Sequence, residues 1–182
     1  MVREQTRRFA VACLAAAVVV LVDQATKAAA LGGLSQEERI PLLGDLLGLQ
    51  LAFNPGAILS LGAGVTGLLT LLGVGAVVLL VVAAARARTG WWAMGIGLIL
   101  GGAIGNLIDR LFSPPGFGVG HVTDFLAYGN LFIGNLAYVA LGAGVIALSL
   151  SFWSRHRGPR AKAPEQERAP QGPAPEAKVS GS

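Results

Sequence analysis

A long uncharged stretch is the feature that most limits how this chain can fold. No charged residue stands between Asp45 and Arg86, and residues 61–85 consist almost wholly of Leu, Val, Ala and Gly. A run of about 20 apolar residues can cross the ~30 Å hydrocarbon core of a bilayer as a helix. The chain as a whole is 53% hydrophobic and 13% charged, with a mean hydropathy of +0.62. It is therefore too apolar for an ordinary soluble domain, and we predict a membrane protein.

Four apolar runs are long enough to span a membrane, at about residues 9–30, 61–85, 91–108 and 131–153. The first follows a basic start, so a cleaved secretory signal is the competing interpretation. Three further spans follow, which favours an uncleaved first helix. We predict an α-helical membrane protein with four transmembrane helices in one domain, residues 1–154. Residues 155–182 are rich in Pro, Ala, Gly and charge, which predicts a disordered cytoplasmic tail.

A short segment before the second span has a different pattern. Leu47, Leu49, Leu51 and Phe53 alternate with small or polar residues, the period-2 pattern of a half-buried strand. The turn signal 54–56, Asn-Pro-Gly, follows directly. We expect a small extracytoplasmic β cradle against the membrane surface.

The positions of the arginines predict how the chain crosses the membrane. Arg86 and Arg88 lie between the second and third spans, further arginines precede the first span, and others follow the fourth. By the positive-inside rule all three places, and so both termini, are cytoplasmic. The loops around 31–60 and 109–130 then face outward.

The excess of basic over acidic residues does not predict that the chain binds nucleic acid. The formal charge is +4 and the pI about 9.8, but the basic residues cluster where topology requires them. Cys13 is the single cysteine, which rules out an intramolecular disulfide and a multi-cysteine metal site. His121 and His156 are far apart in sequence, which disfavours zinc. We expect no nucleic acid partner, no metal and no cofactor.

Polar residues at the ends of the spans carry the functional signal, because charge in a bilayer is unfavourable. Asp23 and Lys27 stand at i, i+4 and form either a plain salt bridge or part of a site. Asn106 and Asn135 either join helices or present amides to a substrate. Arg110 is either an interfacial side chain or a donor that organises a site.

Five stretches, in order, resemble the motifs of the lipoprotein signal peptidase (signal peptidase II) family. They are VDQATK at 22–27, NPGAILS at 54–60, GGAIGNLIDR at 101–110, GHVTDF at 120–125 and GNLAY at 134–138. The resemblance implies an intramembrane aspartic endopeptidase of the bacterial cytoplasmic (inner) membrane. Such an enzyme removes the signal peptide of a prolipoprotein before its diacylglyceryl cysteine. The implied partners are that peptide and membrane lipid, and the implied state is a monomer.

The resemblance also assigns the site. By position, Asp124 corresponds to the first catalytic aspartate of the family, and Tyr138 stands where the second is expected. An aspartic dyad needs two close carboxylates that share a proton, and a phenol has little basicity near neutral pH. The resemblance marks eight further residues as site-organising or substrate-binding: Asp23, Lys27, Asn54, Gly56, Asn106, Asp109, Arg110 and Asn135.

Three functions follow as hypotheses. The first is an active or weakly active lipoprotein signal peptidase in which another carboxylate, such as Asp109, assists Asp124. The second is a noncatalytic homologue that binds lipidated peptide or lipid in the same cleft. The third, a small transporter or assembly protein, is disfavoured by the ordered motifs. Residue 138 distinguishes the first two.

Overall fold

The computed structural model describes residues 2–57 and 61–156. In this part of the chain, four helices are long and apolar enough to cross a membrane, and a four-stranded antiparallel sheet joins them. The prediction of four membrane helices with a small β cradle is confirmed. The helices are α1 (Val2–Gly33), α2 (Thr66–Ala85), α3 (Gly90–Phe112) and α4 (Leu136–His156), with a 3-10 turn at Ala63–Val65. The strands are β1 (Ile40–Leu43), β2 (Leu47–Asn54), β3 (Val122–Tyr128) and β4 (Phe132–Gly134).

The helix boundaries differ from all four predicted spans. Helix α1 extends beyond 9–30 at both ends, and α2 begins at Thr66 and not at 61. Helix α3 continues to Phe112, so the polar residues at 106–110 lie within its last turns and not beyond its end. Helix α4 begins at Leu136, because residues 132–134 form β4 and pair with β3. The prediction of a span from residue 131 was wrong there, since a short apolar run does not distinguish a strand from a helix.

The predicted tail falls mostly beyond the described residues. Helix α4 reaches His156 and so includes the first two residues of the predicted tail, 155 and 156. Residues 157–182 lie outside the described part, and the expected disorder of the tail stays a prediction.

The sheet has the strand order β1-β2-β3-β4. Ala52 of β2 pairs with Asp124 of β3, and Asn54 pairs with Val122. A register irregularity between Leu49 and Ala52 interrupts the predicted alternation. Phe53 is 41% exposed while Asn54 is buried. The end of β2 thus turns an amide, not an aromatic ring, toward Asp124.

Close packing of α1 against α3 brings the polar ends of both helices together. A Cβ at Gly101 would collide with Val19 of α1, and one at Gly105 would collide with the carboxylate of Asp23. Small residues allow this approach in a bilayer, where van der Waals contact drives helix association.

Candidate functional site

Asp124 lies at the centre of the polar cluster. It is 1% exposed, and both of its oxygens accept hydrogen bonds, Oδ1 from Asn135 Nδ2 at 2.7 Å and Oδ2 from Asn54 Nδ2 at 3.1 Å. Burial raises the pKa of the Asp124 carboxyl to about 6, against the lowering effect of these two amides and of Lys27. The carboxyl is thus mostly ionised at neutral pH and becomes protonated in mild acid.

Tyr138 lies beside this carboxylate. Its amide donates to the carbonyl of Asn135 at 3.2 Å, which places it one turn further along the start of α4. Its phenol hydrogen-bonds with the side chain of Asn54 and is electrostatically coupled to Asp124 and Arg110. The structure thus brings residues 54, 124, 135 and 138 together from β2, β3, the residue between β4 and α4, and α4 itself.

Lys27 lies at the centre of a second group, in which Lys27, Asp23 and Asp109 are buried and Asn106 is half-buried. Its Nζ is 2.8 Å from Asp23 Oδ2, 2.9 Å from Asp109 Oδ2 and 3.0 Å from Asn106 Oδ1. The plain i, i+4 salt bridge predicted as one alternative is present, and it extends across to α3. Breaking such a buried pair leaves an uncompensated charge in the interior.

Asp109 is fully engaged by neighbours other than Asp124. Its Oδ1 accepts from Gln24 Nε2 at 3.2 Å, and its Oδ2 accepts from the Thr123 amide at 3.0 Å as well as from Lys27. Among the described residues, no carboxylate is hydrogen-bonded to Asp124. The hypothesis that Asp109 completes a dyad therefore finds no contact to support it.

Sequence reasoning did not single out Gln24 or the amide of Thr123. Gln24 carried a usable signal, because a polar residue inside an apolar span usually has a hydrogen-bond partner. The Thr123 contact is made by the backbone and has no signature in the sequence.

Arg110 holds the turn that follows β2. Its guanidinium donates to the carbonyl of Pro55 at 3.2 Å and to that of Gly56, and the residue is 8% exposed. The Gly56 amide in turn donates to Asn54 Oδ1 at 2.9 Å. Arg110 is thus buried against the site turn and not extended toward an interface, and its neighbour Asp109 has different partners.

Asn106 of α3 and Asn135, which directly precedes α4, link the two groups. Asn135 Nδ2 lies 3.1 Å from Asn106 Oδ1, 2.7 Å from Asp124 Oδ1 and 3.4 Å from the Thr123 carbonyl. Asn135 therefore contacts both α3 and the candidate catalytic carboxylate.

A cleft of about 290 Å³ opens beside Asp124. Five of its seven lining residues are apolar, and Leu131 at its edge is 82% exposed. One carboxylate and one amide among apolar walls suit a ligand with a polar bond inside an apolar segment. The lining residues are Ala52, Phe53, Asn54, Asp124, Leu131, Phe132 and Ile133.

Comparison with known proteins gives one family. The family described as Signal peptidase (SPase) II matches residues 15–154. The chain is 43% identical to the lipoprotein signal peptidase of Rhodococcus jostii over 73% of this chain and 67% of that protein. It is 49% identical to that of Leifsonia xyli subsp. xyli over 68% of this chain and 57% of that protein. It is 44% identical to that of Bifidobacterium longum over 81% of each chain. The match thus spans just over half the length of the Leifsonia protein.

Solved structures agree on the fold. A bacterial membrane enzyme determined by the in meso method at 2.3 Å resolution superposes with a TM-score of 0.71. It is 24% identical, and the match covers 84% of this chain and 93% of the other. The four-helix architecture with its sheet is therefore one already observed in a bacterial membrane enzyme.

Proposed function

Because this chain belongs to the signal peptidase II family, we propose that it binds the signal-peptide region of diacylglyceryl-modified prolipoproteins in the cleft beside Asp124. We further propose that it cleaves them feebly or not at all. The observation that carries this proposal is the surroundings of Asp124, which accepts hydrogen bonds from two amides and is coupled to the phenol of Tyr138, while no second carboxylate of the described residues is hydrogen-bonded to it.

The chemistry of peptide hydrolysis explains the expected defect. In an aspartic dyad one carboxylate accepts a proton from water while the other, protonated, acts as the acid. Asp124 alone is mostly ionised at neutral pH, because its pKa is raised only to about 6, so it can orient a water. Within residues 2–57 and 61–156, no carboxylic acid is hydrogen-bonded to it to complete the proton transfer.

Three features support binding. Arg110 holds the turn after Asn54, Asn135 contacts Asp124, and the cleft is lined by apolar side chains together with Asn54 and Asp124. An extended apolar peptide with a lipid-modified cysteine fits a cleft of this character at a membrane boundary. We place the protein in the bacterial cytoplasmic membrane as a monomer, with both termini cytoplasmic and the cleft facing outward.

An active enzyme is the second candidate. It would require another acid to act with Asp124. Asp23 is paired with Lys27 of its own helix, so Asp109 is the remaining carboxylate of the cluster. Its oxygens already accept from Gln24, Lys27 and Thr123, so we favour the binding function.

The test uses purified full-length protein in detergent and a diacylglyceryl prolipoprotein labelled in its signal peptide. Binding is followed by fluorescence anisotropy and cleavage by gel mobility. The wild type should bind without appreciable cleavage. Tyr138→Asp should gain cleavage on the order of 10²–10⁴-fold, while Tyr138→Asn, which matches Asp in size but carries no acid, should gain none.

Two outcomes would contradict the proposal. Robust cleavage by the wild type would show that another residue supplies the acid, and Asp109→Asn would be the first variant to test. Absence of binding by both the wild type and Tyr138→Asp would show that the cleft does not accept this substrate class.

A further inference from the structure

Lys27 determines which way its neighbours can turn. An ammonium group offers three donors and no acceptor, and in this structure they meet Asp23, Asp109 and Asn106. Asn106 must therefore turn its oxygen, not its nitrogen, toward Lys27. The same oxygen lies 3.1 Å from Asn135.

The orientation of Asn135 follows from that of Asn106. Because an oxygen faces it on that side and a carboxylate faces it at Asp124, the amide must present its nitrogen to both. This orientation has a cost. Within the described part of the chain, Asn135 Oδ1 is buried without a hydrogen-bond partner, although Asn135 is 0% exposed. An unpaired buried carbonyl is unfavourable, so something must prevent the amide from turning over.

We propose that Lys27 is a positioning residue for Asp124, acting through Asn106 and Asn135. By fixing the oxygen of Asn106, it adds an acceptor for the Asn135 amide nitrogen to those supplied by Asp124 and the Thr123 carbonyl. It thus strengthens the orientation in which Asn135 donates to Asp124 and holds the carboxylate at the cleft. The chain Lys27, Asn106, Asn135, Asp124 is continuous, with consecutive distances of 3.0, 3.1 and 2.7 Å. The inference rests on the proposed function only in taking Asp124 as the group that meets the bound peptide.

The charges around Asp124 come from three helices. Lys27 on α1 lowers its pKa, and Asp109 on α3 raises it. Arg110 on α3 and Tyr138 on α4 are also coupled to it. A test must change the donor arrangement while leaving all four of these groups in place.

Asn106→Leu meets that condition. It removes the link but keeps the ion pairs of Lys27 with both aspartates. Without the oxygen of residue 106, the Asn135 amide nitrogen keeps only Asp124 Oδ1 and, at 3.4 Å, the Thr123 carbonyl as acceptors. Asn135 is then held less firmly, its hydrogen bond to the charged form of Asp124 weakens, and protonation of Asp124 becomes easier. Protonation of Asp124 is measured by infrared titration of its carboxyl band in the full-length protein without substrate. The band is assigned by subtracting the Asp124→Asn spectrum.

The expected result is an upward shift of the Asp124 midpoint by about one pH unit, a tenfold rise in proton affinity. Gln24→Leu is the matched control, because Gln24 donates to Asp23 and Asp109 of the same cluster but not to either asparagine of the link. Its Asp124 midpoint should stay at the wild-type value, even if the protein unfolds at a lower temperature.

An unchanged midpoint in folded Asn106→Leu would overturn the proposal, as would an equal shift in Gln24→Leu. If Asn106→Leu does not fold, the wild type decides the question. The side-chain amide protons of Asn135, followed by NMR, should shift as Asp124 titrates near pH 6. Protons that do not respond would show that Asn135 does not donate to Asp124. Because no substrate is used, these outcomes are independent of whether the protein binds prolipoproteins.

Discussion

Removal of the Lys27 ammonium should destabilise the protein more than removal of a cation elsewhere on the same helix. Asp23, Lys27 and Asp109 are 0%, 2% and 5% exposed, and Lys27 Nζ lies within 2.9 Å of both carboxylates. Lys27→Met keeps the length of the stem but leaves two uncompensated carboxylates in the interior. Breaking a buried ion pair in this way costs about 3–5 kcal/mol. For a chain of this size, that corresponds to a Tm about 6–20 °C lower.

The assay is thermal unfolding in detergent micelles, followed by tryptophan fluorescence. Arg7→Met is the matched control, because the Arg7–Glu4 pair on α1 has a separation of 3.9 Å and side chains that are 79% and 60% exposed. Exposed pairs of this kind contribute little, so its Tm should stay close to that of the wild type. Adding Asp109→Asn to Lys27→Met should recover part of the loss by removing one of the stranded charges. Equal, small shifts for Lys27→Met and Arg7→Met would refute the reasoning.

Three further results are expected. Since the pKa of Asp124 is raised to about 6 from 3.8, the folded state binds more protons than the unfolded state between these values. The contribution of Asp124 to stability should thus fall as the pH rises from 4 through 6, and Asp124→Asn should lack that part of the pH dependence of Tm. Reporter fusions at Arg88 and in the tail should read cytoplasmic and one at Gly118 external; a cytoplasmic signal at Gly118 would contradict the topology. Arg110→Lys should weaken prolipoprotein binding roughly tenfold, because an ammonium cannot span two turn carbonyls as a guanidinium does. Arg39→Lys is the control and should leave binding unchanged; it makes the same substitution at an arginine that binds carbonyls beside the β1–β2 hairpin.

The number of membrane helices could be predicted from the sequence, but the residues at which they begin and end could not. Long apolar runs have few structural alternatives in a bilayer, so the number of spans could be predicted from hydropathy alone. The start of α4 could not, because residues 132–134 are apolar in either structure and become a strand only through pairing with β3. The bulge that turns Asn54 inward likewise depends on register with β3, which a single strand does not specify.

The members of the site were accessible from the motifs, but their partners were not. The spacing of Asp23 and Lys27 predicted their pairing, whereas the contact of Lys27 with Asp109 joins residues on different helices and depends on the close α1–α3 packing. Likewise, nothing in the sequence indicated that Asn106 and Asn135 would share a hydrogen bond. Pairings between helices are set by tertiary packing, and periodicity within one helix does not report them.

The buried ion cluster is not explained by stability alone. Replacing such a cluster entirely with well-packed apolar residues is often neutral or stabilising, whereas removing one member is costly. A role in orientation accounts for it better, because a fixed donor at Lys27 sets the direction of two amides and, through them, the carboxylate of Asp124. The same orientation is useful whether or not a second acid is present. In the proposed binding function, a carboxylate held toward the cleft accepts a hydrogen bond from a peptide N–H; in an active enzyme, it activates a water. Either function requires an ordered Asp124, so the orienting role of Lys27 does not depend on whether a second acid stands at the position of Tyr138.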